Sequence, residues 1–328
     1  MHLSAFSTKL RVRKMHPSFL LLALDSPFSR PVLQTLLDAG QPPAALLLPN
    51  PDRTALPHRL SLTANEPANP LTAPLLPSIT QLASQHSIPT LTLGNLHHPE
   101  TLQALQTFQP DFLLTACFPR LLPAEILAIP RLGALNLHPS LLPAYRGPEP
   151  LFWQFYYGVT SSDATRTGIT LHFMDEKADT GDIIAQAEVP FPDGISLAQA
   201  ETLTAQTGAD LVRRAFSHPE NLPRSPQFNF EQNPLSAQDT PRASYHPRPT
   251  LDEMTIPTTW AARRAYNFIR AVREWGPIAI TDQVTGQSLR VREAVGYVLG
   301  SGAVPPPRAG QEVTWLSFTD GIVGVIEG

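Results

Sequence analysis

Short apolar runs alternate with helix-like segments through the first two thirds of the chain. The first run, Phe19 to Leu24, is continuous and of strand length, as expected for a strand buried on both faces. The next segment, SRPVLQTLLDAG, predicts a helix with Ser29 as its N-cap and Gly40 as its end. The opening of the chain therefore predicts a strand, a turn and a helix.

The same alternation continues. Further strands are predicted at 44–49, 88–93, 111–118, 133–138, 168–174 and 182–191, and further helices at 78–86, 99–108 and 196–216. Strands that alternate with helices indicate an α/β fold with a doubly wound, mostly parallel sheet. Such sheets bind ligands beyond the carboxyl ends of their strands. The run GALNLH (133–138) ends at such an edge.

The composition changes after this unit. Residues 218–249 are rich in Pro, Asn, Gln and Ser with little periodicity, which predicts an interdomain linker. A helix at 258–274 and four short strands then predict a small OB-like β-barrel over 250–328. We expect a first domain at 18–217 and a tail at 1–17, with Met15 as an alternative start. The basic residues of the tail precede only a short apolar run with no cleavage site, which favours the cytoplasm over secretion.

Composition excludes several classes of function. Charged residues are 16% of the chain and the net charge is −4, which argues against a dominant nucleic-acid surface. No apolar run reaches the ~18 residues of a membrane helix, so no membrane partner is expected. Cys117 is the only cysteine, which excludes an intrachain disulfide and a CxxC metal site, and we expect it to be a small buried side chain. We expect no metal site, since the pair His97–His98 has no further ligand nearby.

The segment from Gly133 to Gly158 carries the candidate chemistry. Asn136 and His138 are two residues apart, so on a strand both side chains leave from the same face. The amide can donate to a developing oxyanion, and the imidazole can donate or hold a proton. Asp179, in the turn ADTGD, is the best candidate for a third, acidic partner. Asn, His and Asp around one carbonyl carbon fit acyl-type transfer to an amine.

Each of these residues also has an ordinary structural explanation. Asn136 and His138 are also consistent with solvated residues at a strand end, and Asp favours turns through its local hydrogen bonds. His172 alternates with apolar neighbours on a predicted strand, which favours a structural histidine over a catalytic one.

The motifs considered together are more specific. The segment NLHPSLLPAYRGPEPLFW, followed by Thr167–Thr170 (TGIT) and Asp179–Asp182 (DTGD), resembles the signature of the 10-formyltetrahydrofolate-dependent formyltransferases. Within that family it resembles in particular the methionyl-tRNA formyltransferase-like members and the related amino-sugar N-formyltransferases. The opening strand, turn and helix and the C-terminal segment RAYNFIRAV are also similar to that family, so the resemblance covers nearly the whole chain. It implies a formyltransferase-type sheet with a C-terminal OB-like domain.

The resemblance also implies roles for single residues. Asn136 would bind the formyl oxygen, His138 would assist the tetrahedral intermediate, and Asp179 would take part in removing the proton of the amine. The donor would be 10-formyltetrahydrofolate, with no metal. Its pterin-bearing part would contact Ser140, Leu141, Leu142 and Pro143 through backbone groups and apolar walls.

The acceptor is the more open question. The resemblance implies initiator methionyl-tRNA as the default acceptor and partner. However, the loop that starts at Pro51–Asp52–Arg53 has only Arg59 as a further basic residue up to Pro70, which is few for a phosphate-binding loop. A predicted helix carries four arginines that either contact RNA or form a solvated face: Arg263, Arg264, Arg270 and Arg273. A nucleotide-linked amino sugar, hydrolysis of the formyl folate, and a non-catalytic binding role remain as alternatives.

Overall fold

The apolar runs of the first domain form one eight-stranded sheet. The computed structural model describes residues 16–60, 77–158, 167–219, 243–305 and 312–328. Met1, Met15 and most of the predicted tail and linker lie outside these ranges. Within them, no helix combines the length and the apolar character needed to cross a bilayer.

The sheet has a parallel centre and antiparallel edges. Its strands are β1 (Phe19–Ala23), β2 (Ala45–Pro49), β3 (His58–Arg59), β4 (Thr90–Leu93), β5 (Phe112–Ala116), β6 (Gly133–His138), β7 (Gly168–Phe173) and β8 (Ile183–Glu188). Its helices are α1 (Ser29–Asp38), α2 (Ile79–Gln85), α3 (Pro99–Gln106), α4 (Ala124–Leu127), α5 (Pro150–Tyr156) and α6 (Leu197–Ser217). The strand order is β3-β4-β2-β1-β5-β6-β7-β8, and β4, β2, β1, β5 and β6 are parallel. The predicted doubly wound, mostly parallel sheet is confirmed.

β1 lies at the centre of this sheet and is buried on both faces. Leu20 and Leu22 belong to the core on one side, while Phe19 and Leu21 belong to the core on the other. Because successive side chains of a strand point to opposite faces, only a continuous apolar run can satisfy both cores.

Ser29 connects the ends of the two central strands. The hydroxyl donates to the carbonyl oxygen of Ala116 at 2.7 Å and accepts from the backbone N–H of Leu24 at 3.3 Å. Because α1 begins at Ser29, Phe28 occupies its N-cap position, without a side-chain cap. The predicted Ser29 cap is wrong. Gly40 follows the helix with φ of +69°, as predicted for its end.

The C-terminal residues form a second, five-stranded sheet. Its elements are β9 (Thr255–Pro257), α7 (Ala262–Val272), β10 (Ile278–Thr281), β11 (Ser288–Leu299), β12 (Thr314–Phe318) and β13 (Gly321–Glu327). The order is β12-β13-β11-β10-β9, antiparallel except for β9 with β10. β11 has two register shifts against β13, which bend a long strand. A small C-terminal β domain is therefore confirmed.

Aromatic side chains of α5 form the contact between the two domains. Phe152 packs edge-to-face on Phe268 of α7, with ring centroids 5.4 Å apart, and Tyr156 does the same on Trp260 at 5.1 Å. The guanidinium of Arg264 lies 3.6 Å above the Trp260 ring and donates through Nε to the carbonyl oxygen of Tyr156 at 2.8 Å. The aromatic run that follows the active-site motif is thus an interdomain core.

Asp193, in the turn before α6, adds a polar connection to this interface. Its carboxylate accepts from Arg263 Nε at 3.0 Å, Asn267 Nδ2 at 2.8 Å and Tyr297 Oη at 2.8 Å. All three donors belong to the C-terminal domain, and Asn267 is buried. One carboxylate of the first domain therefore satisfies three donors of the second.

All four arginines of the predicted basic helix have protein partners. Arg270 and Arg273 pair with Glu293 at N–O distances of 2.6 and 3.3 Å. Arg263 and Arg264 bind groups of the first domain, as described above. Arg263 and Arg264 therefore connect the two domains, whereas Arg270 and Arg273 bind Glu293 within the C-terminal domain. The choice between an RNA contact and a solvated face stays a prediction.

We expect Asp193→Ala to lower the free energy of unfolding by about 1–3 kcal/mol, because the buried amide of Asn267 loses its acceptor. Urea denaturation followed by tryptophan fluorescence would measure the change. The exposed Glu125→Ala serves as the control and should stay within about 0.5 kcal/mol. Equal values for the two variants would contradict the role of Asp193.

Candidate active site

The predicted pair Asn136–His138 lies at the carboxyl end of β6, next to the antiparallel strand β7. The register places Asn136 opposite His172 and His138 opposite Thr170. Directly opposite residues of an antiparallel pair lie on the same face of the sheet. The face that carries Asn136 and His138 therefore also carries His172.

Asp179 reaches the same point from the turn between β7 and β8, with φ of +55°. Aspartate tolerates this left-handed conformation better than most residues. Its Oδ1 lies 3.2 Å from Asn136 Nδ2, 3.4 Å from His138 Nδ1 and 3.7 Å from His172 Nε2. Its Oδ2 accepts from the N–H of Gly147 at 2.9 Å. The three side chains that were predicted from the sequence thus meet at one point, with Asn136 and His138 both next to the carboxylate of Asp179.

His172 is the site residue that sequence reasoning undervalued. It is 1% exposed, and its Nδ1 lies 2.7 Å from the carbonyl oxygen of Phe173. Since a carbonyl can only accept, Nδ1 carries the proton and Nε2 has the free lone pair. Nε2 then accepts from Asn136 Nδ2 at 3.2 Å. His172 is buried, as a structural histidine would be, but it also orients the amide of Asn136.

The protonation of His138 follows from the same reasoning. Its Nε2 lies 2.8 Å from the carbonyl oxygen of Tyr145, so Nε2 is the donor. In the neutral ring, Nδ1 is then an acceptor, and it faces the acceptor Asp179 Oδ1 at 3.4 Å. Two facing acceptors at this distance can share one hydrogen, which is either a proton or the hydrogen of an N–H group. The pair can therefore hold one mobile proton.

The environment sets opposite preferences for the two groups. Burial lowers the pKa of His138, and the charge of Asp179 opposes this without reversing it, so the neutral ring is favoured near pH 7. Burial on its own raises the pKa of Asp179, but His138, His172 and the N–H of Gly147 outweigh it and hold the pKa below its ordinary range. The resting site is a carboxylate beside a neutral imidazole.

The loop Ser140–Pro143 is held from several sides. The carbonyl oxygens of Ser140 and Leu142 accept from Thr170 Oγ1 at 2.6 Å and from Gln186 Nε2 at 2.8 Å. The N–H of Leu142 donates to the same Thr170 hydroxyl at 3.1 Å. These contacts fix the shape of the loop beside the face that carries Asn136 and His138.

Other cavities and clusters lie away from this site. A groove of about 1040 Å³ lies between α1 and the start of α6, and none of the predicted site residues lines it. Among the described residues, no group of three or more His, Cys, Asp or Glu is arranged to hold a metal ion. Cys117 is exposed at the end of β5, so the expectation that it is buried was wrong.

The comparison with known proteins agrees with this geometry. The formyl transferase family model matches residues 43–215, which is more than half of the chain. The chain belongs to the formyl transferase family. The predicted family and the predicted class of enzyme, one that transfers formyl groups, are confirmed.

Two relatives share sequence with this chain, and one solved structure shares its fold. The methionyl-tRNA formyltransferase of Syntrophus aciditrophicus is 35% identical over 61% of this chain and 59% of its own length. That of Geobacillus thermodenitrificans is 30% identical over 77% of this chain and 70% of its own. The fold is similar to the N-formyltransferase of Helicobacter canadensis, solved with folinic acid and dTDP-3-aminofucose. That comparison has a TM-score of 0.57 at 14% identity and covers 95% of this chain and 99% of the other.

We expect Asp179→Asn to remove a pH dependence from the stability of the enzyme. A lowered pKa means that the ionised carboxylate stabilises the folded state above about pH 3.9 and that this contribution declines as the pH falls below it. The difference in unfolding free energy between wild type and variant is measured below pH 5, because the charge of Asp179 also affects the pKa of His138. It should shrink by up to about 1.4 kcal/mol per pH unit below pH 3.9. Urea denaturation at each pH measures it, and a constant difference down to pH 3 would contradict the assigned environment.

Proposed function

We propose that this protein transfers the formyl group of 10-formyltetrahydrofolate to the amino group of initiator methionyl-tRNA. The observation that carries the proposal is the pair of facing acceptors, His138 Nδ1 and Asp179 Oδ1, with Asn136 beside them. An amine that attacks a formyl carbon must lose a proton, and this pair is placed to receive one.

The reaction needs no covalent enzyme intermediate. The amine nitrogen forms a bond to the formyl carbon, and the electron pair of the C=O bond moves to oxygen. The proton of the resulting ammonium passes to the position between His138 and Asp179. The oxyanion then re-forms the C=O bond as the bond to N10 of the folate breaks, and N10 takes up the proton that was held between His138 and Asp179.

Asn136 is the proposed donor to the oxyanion. Its Nδ2 is 3.2 Å from both His172 Nε2 and Asp179 Oδ1, so both amide hydrogens already have acceptors. These are long hydrogen bonds, and an oxyanion is a stronger acceptor than a neutral imidazole nitrogen. The developing charge can therefore take over one hydrogen, which makes the interaction stronger in the transition state than in the ground state.

Ser140–Pro143 are the proposed contacts of the folate. Ser140 and Leu142 are buried, whereas Leu141 and Pro143 retain some exposed surface. The hydrogen bonds that Thr170 and Gln186 donate to the loop support a wall that is already shaped before the formyl donor arrives, which lowers the entropic cost of binding.

The relatives support methionyl-tRNA as the acceptor. Both sequence relatives described above carry that name and align with this chain at 30–35% identity. The described residues give less support through charge, because all four arginines of the α7 region bind groups of the protein itself.

A nucleotide-linked amino sugar is the second candidate acceptor. The Helicobacter N-formyltransferase, solved with such a sugar, aligns along 99% of its length. The net charge of −4 and the commitment of the arginines also favour a smaller acceptor with fewer phosphates. Water as the acceptor would make the protein a hydrolase with the same catalytic residues.

We expect Asn136→Ala to lower the rate of formyl transfer by about 10²-fold or more, because it removes the oxyanion donor. The loss should appear in kcat, since the interaction forms mainly in the transition state. Single-turnover transfer from 10-formyltetrahydrofolate measures it. Gln34→Ala, which removes an amide from the exposed face of α1, should behave as wild type. A fully active Asn136→Ala enzyme would exclude the proposed role.

A panel of acceptors tests the choice of substrate. With methionyl-tRNA, we expect transfer that weakens steeply as salt rises, because binding releases counterions from the phosphates. Salt-insensitive formylation of a nucleotide-linked amino sugar, with no activity on methionyl-tRNA, would replace the first proposal by the second. Release of formate at the same rate without any amine would identify a hydrolase.

A further inference from the structure

A short segment from the end of the predicted linker lies directly on the active-site loop. The N–H of Ser244 donates to the carbonyl oxygen of Pro143 at 3.1 Å, and its own carbonyl accepts from the N–H of Arg146 at 2.9 Å. The N–H of His246 donates to the carbonyl of Arg146 at 2.9 Å. We call residues 244–247 the strap. It forms a strand-like pairing with the loop.

Side chains also hold the strap in place. Trp153 Nε1 donates to the carbonyl oxygen of Pro247 at 2.8 Å. The ring of His246 stacks on Trp153 with centroids 5.0 Å apart and on Tyr145 at 5.5 Å. A Cβ on Gly147 would lie 2.1 Å from the carbonyl oxygen of His246, so only glycine allows this close approach.

The loop beneath the strap supports both catalytic groups. The carbonyl of Tyr145 accepts from His138 Nε2 at 2.8 Å, and the N–H of Gly147 donates to Asp179 Oδ2 at 2.9 Å. Tyr145 has φ of +60°, a conformation that a non-glycine residue keeps only where its surroundings fix it.

Ser244 supplies part of that fixation with its side chain. Its Oγ accepts from the N–H of Tyr145 at 2.9 Å and lies 3.2 Å from His246 Nε2. The Ser244 hydroxyl therefore binds the N–H of Tyr145, and the carbonyl of Tyr145 binds His138 Nε2. This connects the strap to the protonation of the catalytic imidazole in two steps.

We propose that Ser244 is a positioning residue for formyl transfer. By holding the N–H of Tyr145, it keeps the Tyr145 carbonyl directed at His138 Nε2. That bond places the ring proton on Nε2 and leaves Nδ1 open towards Asp179, where the proton of the attacking amine is received. The effect on rate rests on the proposed function, whereas the effect on the imidazole does not.

Ser244→Ala and Ser244→Thr test the proposal with two readouts. Long-range ¹H–¹⁵N NMR of the His138 ring should show the Nε2–H form in wild type and in Ser244→Thr. In Ser244→Ala, it should show a shift towards the Nδ1–H form. The kcat of Ser244→Ala should fall by about 10- to 100-fold with an unchanged KM for 10-formyltetrahydrofolate, since misplacement of a catalytic group costs rate. Ser244→Thr should restore it.

Thr250→Ala is the matched control, because its hydroxyl follows the strap but binds Glu253 instead of the loop. It should leave both readouts unchanged. A Ser244→Ala protein with the wild-type His138 tautomer would overturn the proposal, whether or not its rate falls. If wild type transfers no formyl group to any acceptor, the proposed function fails, and the tautomer of His138 still decides the role of Ser244.

Discussion

The carboxylate of Asp179 is the group around which the functional half of the molecule is organised. A buried charge is unfavourable unless polar groups surround it, and here Asn136 and the N–H of Gly147 donate to it, with the rings of His138 and His172 alongside. These groups come from β6, from the loop before α5, and from β7. The same contacts that stabilise the ionised carboxylate therefore also fix the relative positions of the chemical groups.

The change of strand direction at the edge of the sheet explains why the site lies where it does. A parallel neighbour would put its own carboxyl end beside that of β6 and would need a long crossover. The antiparallel β7 instead runs back along β6 and sets His172 opposite Asn136. Its following turn then returns to the end of β6 and brings Asp179 with it. Forty-three residues of sequence separation between Asn136 and Asp179 become 3.2 Å between their side chains.

Sequence reasoning reached most of the fold because local signals were strong. The continuous run at Phe19–Ala23, the glycine at position 40 and the capping box at Ser196 each specify one element without reference to the rest. Asn136, His138 and Asp179 could be predicted for a different reason, because the motifs that contain them have a specific spacing. What could not be predicted depends on tertiary register. Whether His172 is structural or orients Asn136 follows only from the β6–β7 pairing.

The contacts of the strap and of the α7 arginines also could not be predicted from the sequence. Low periodicity at 218–249 predicts irregular structure, but irregular backbone still needs hydrogen-bond partners. Among the described residues of this segment, 244–247 find them on the active-site loop. Likewise, the arginines on α7 gave a basic pattern in sequence, whereas their acceptors, Asp193 and Glu293, lie 70 and 23 residues away from Arg263 and Arg270.

The strap and the α7 contacts connect the C-terminal domain to the candidate active site. Its helix α7 packs on α5, the helix that directly follows the active-site loop, and the strap that precedes it pairs with that loop. An acceptor that displaced the C-terminal domain would therefore also disturb the Tyr145 carbonyl that orients His138. The contacts of the C-terminal domain with α5 and with the active-site loop therefore bear on the geometry of His138 as well as on the stability of the domain interface.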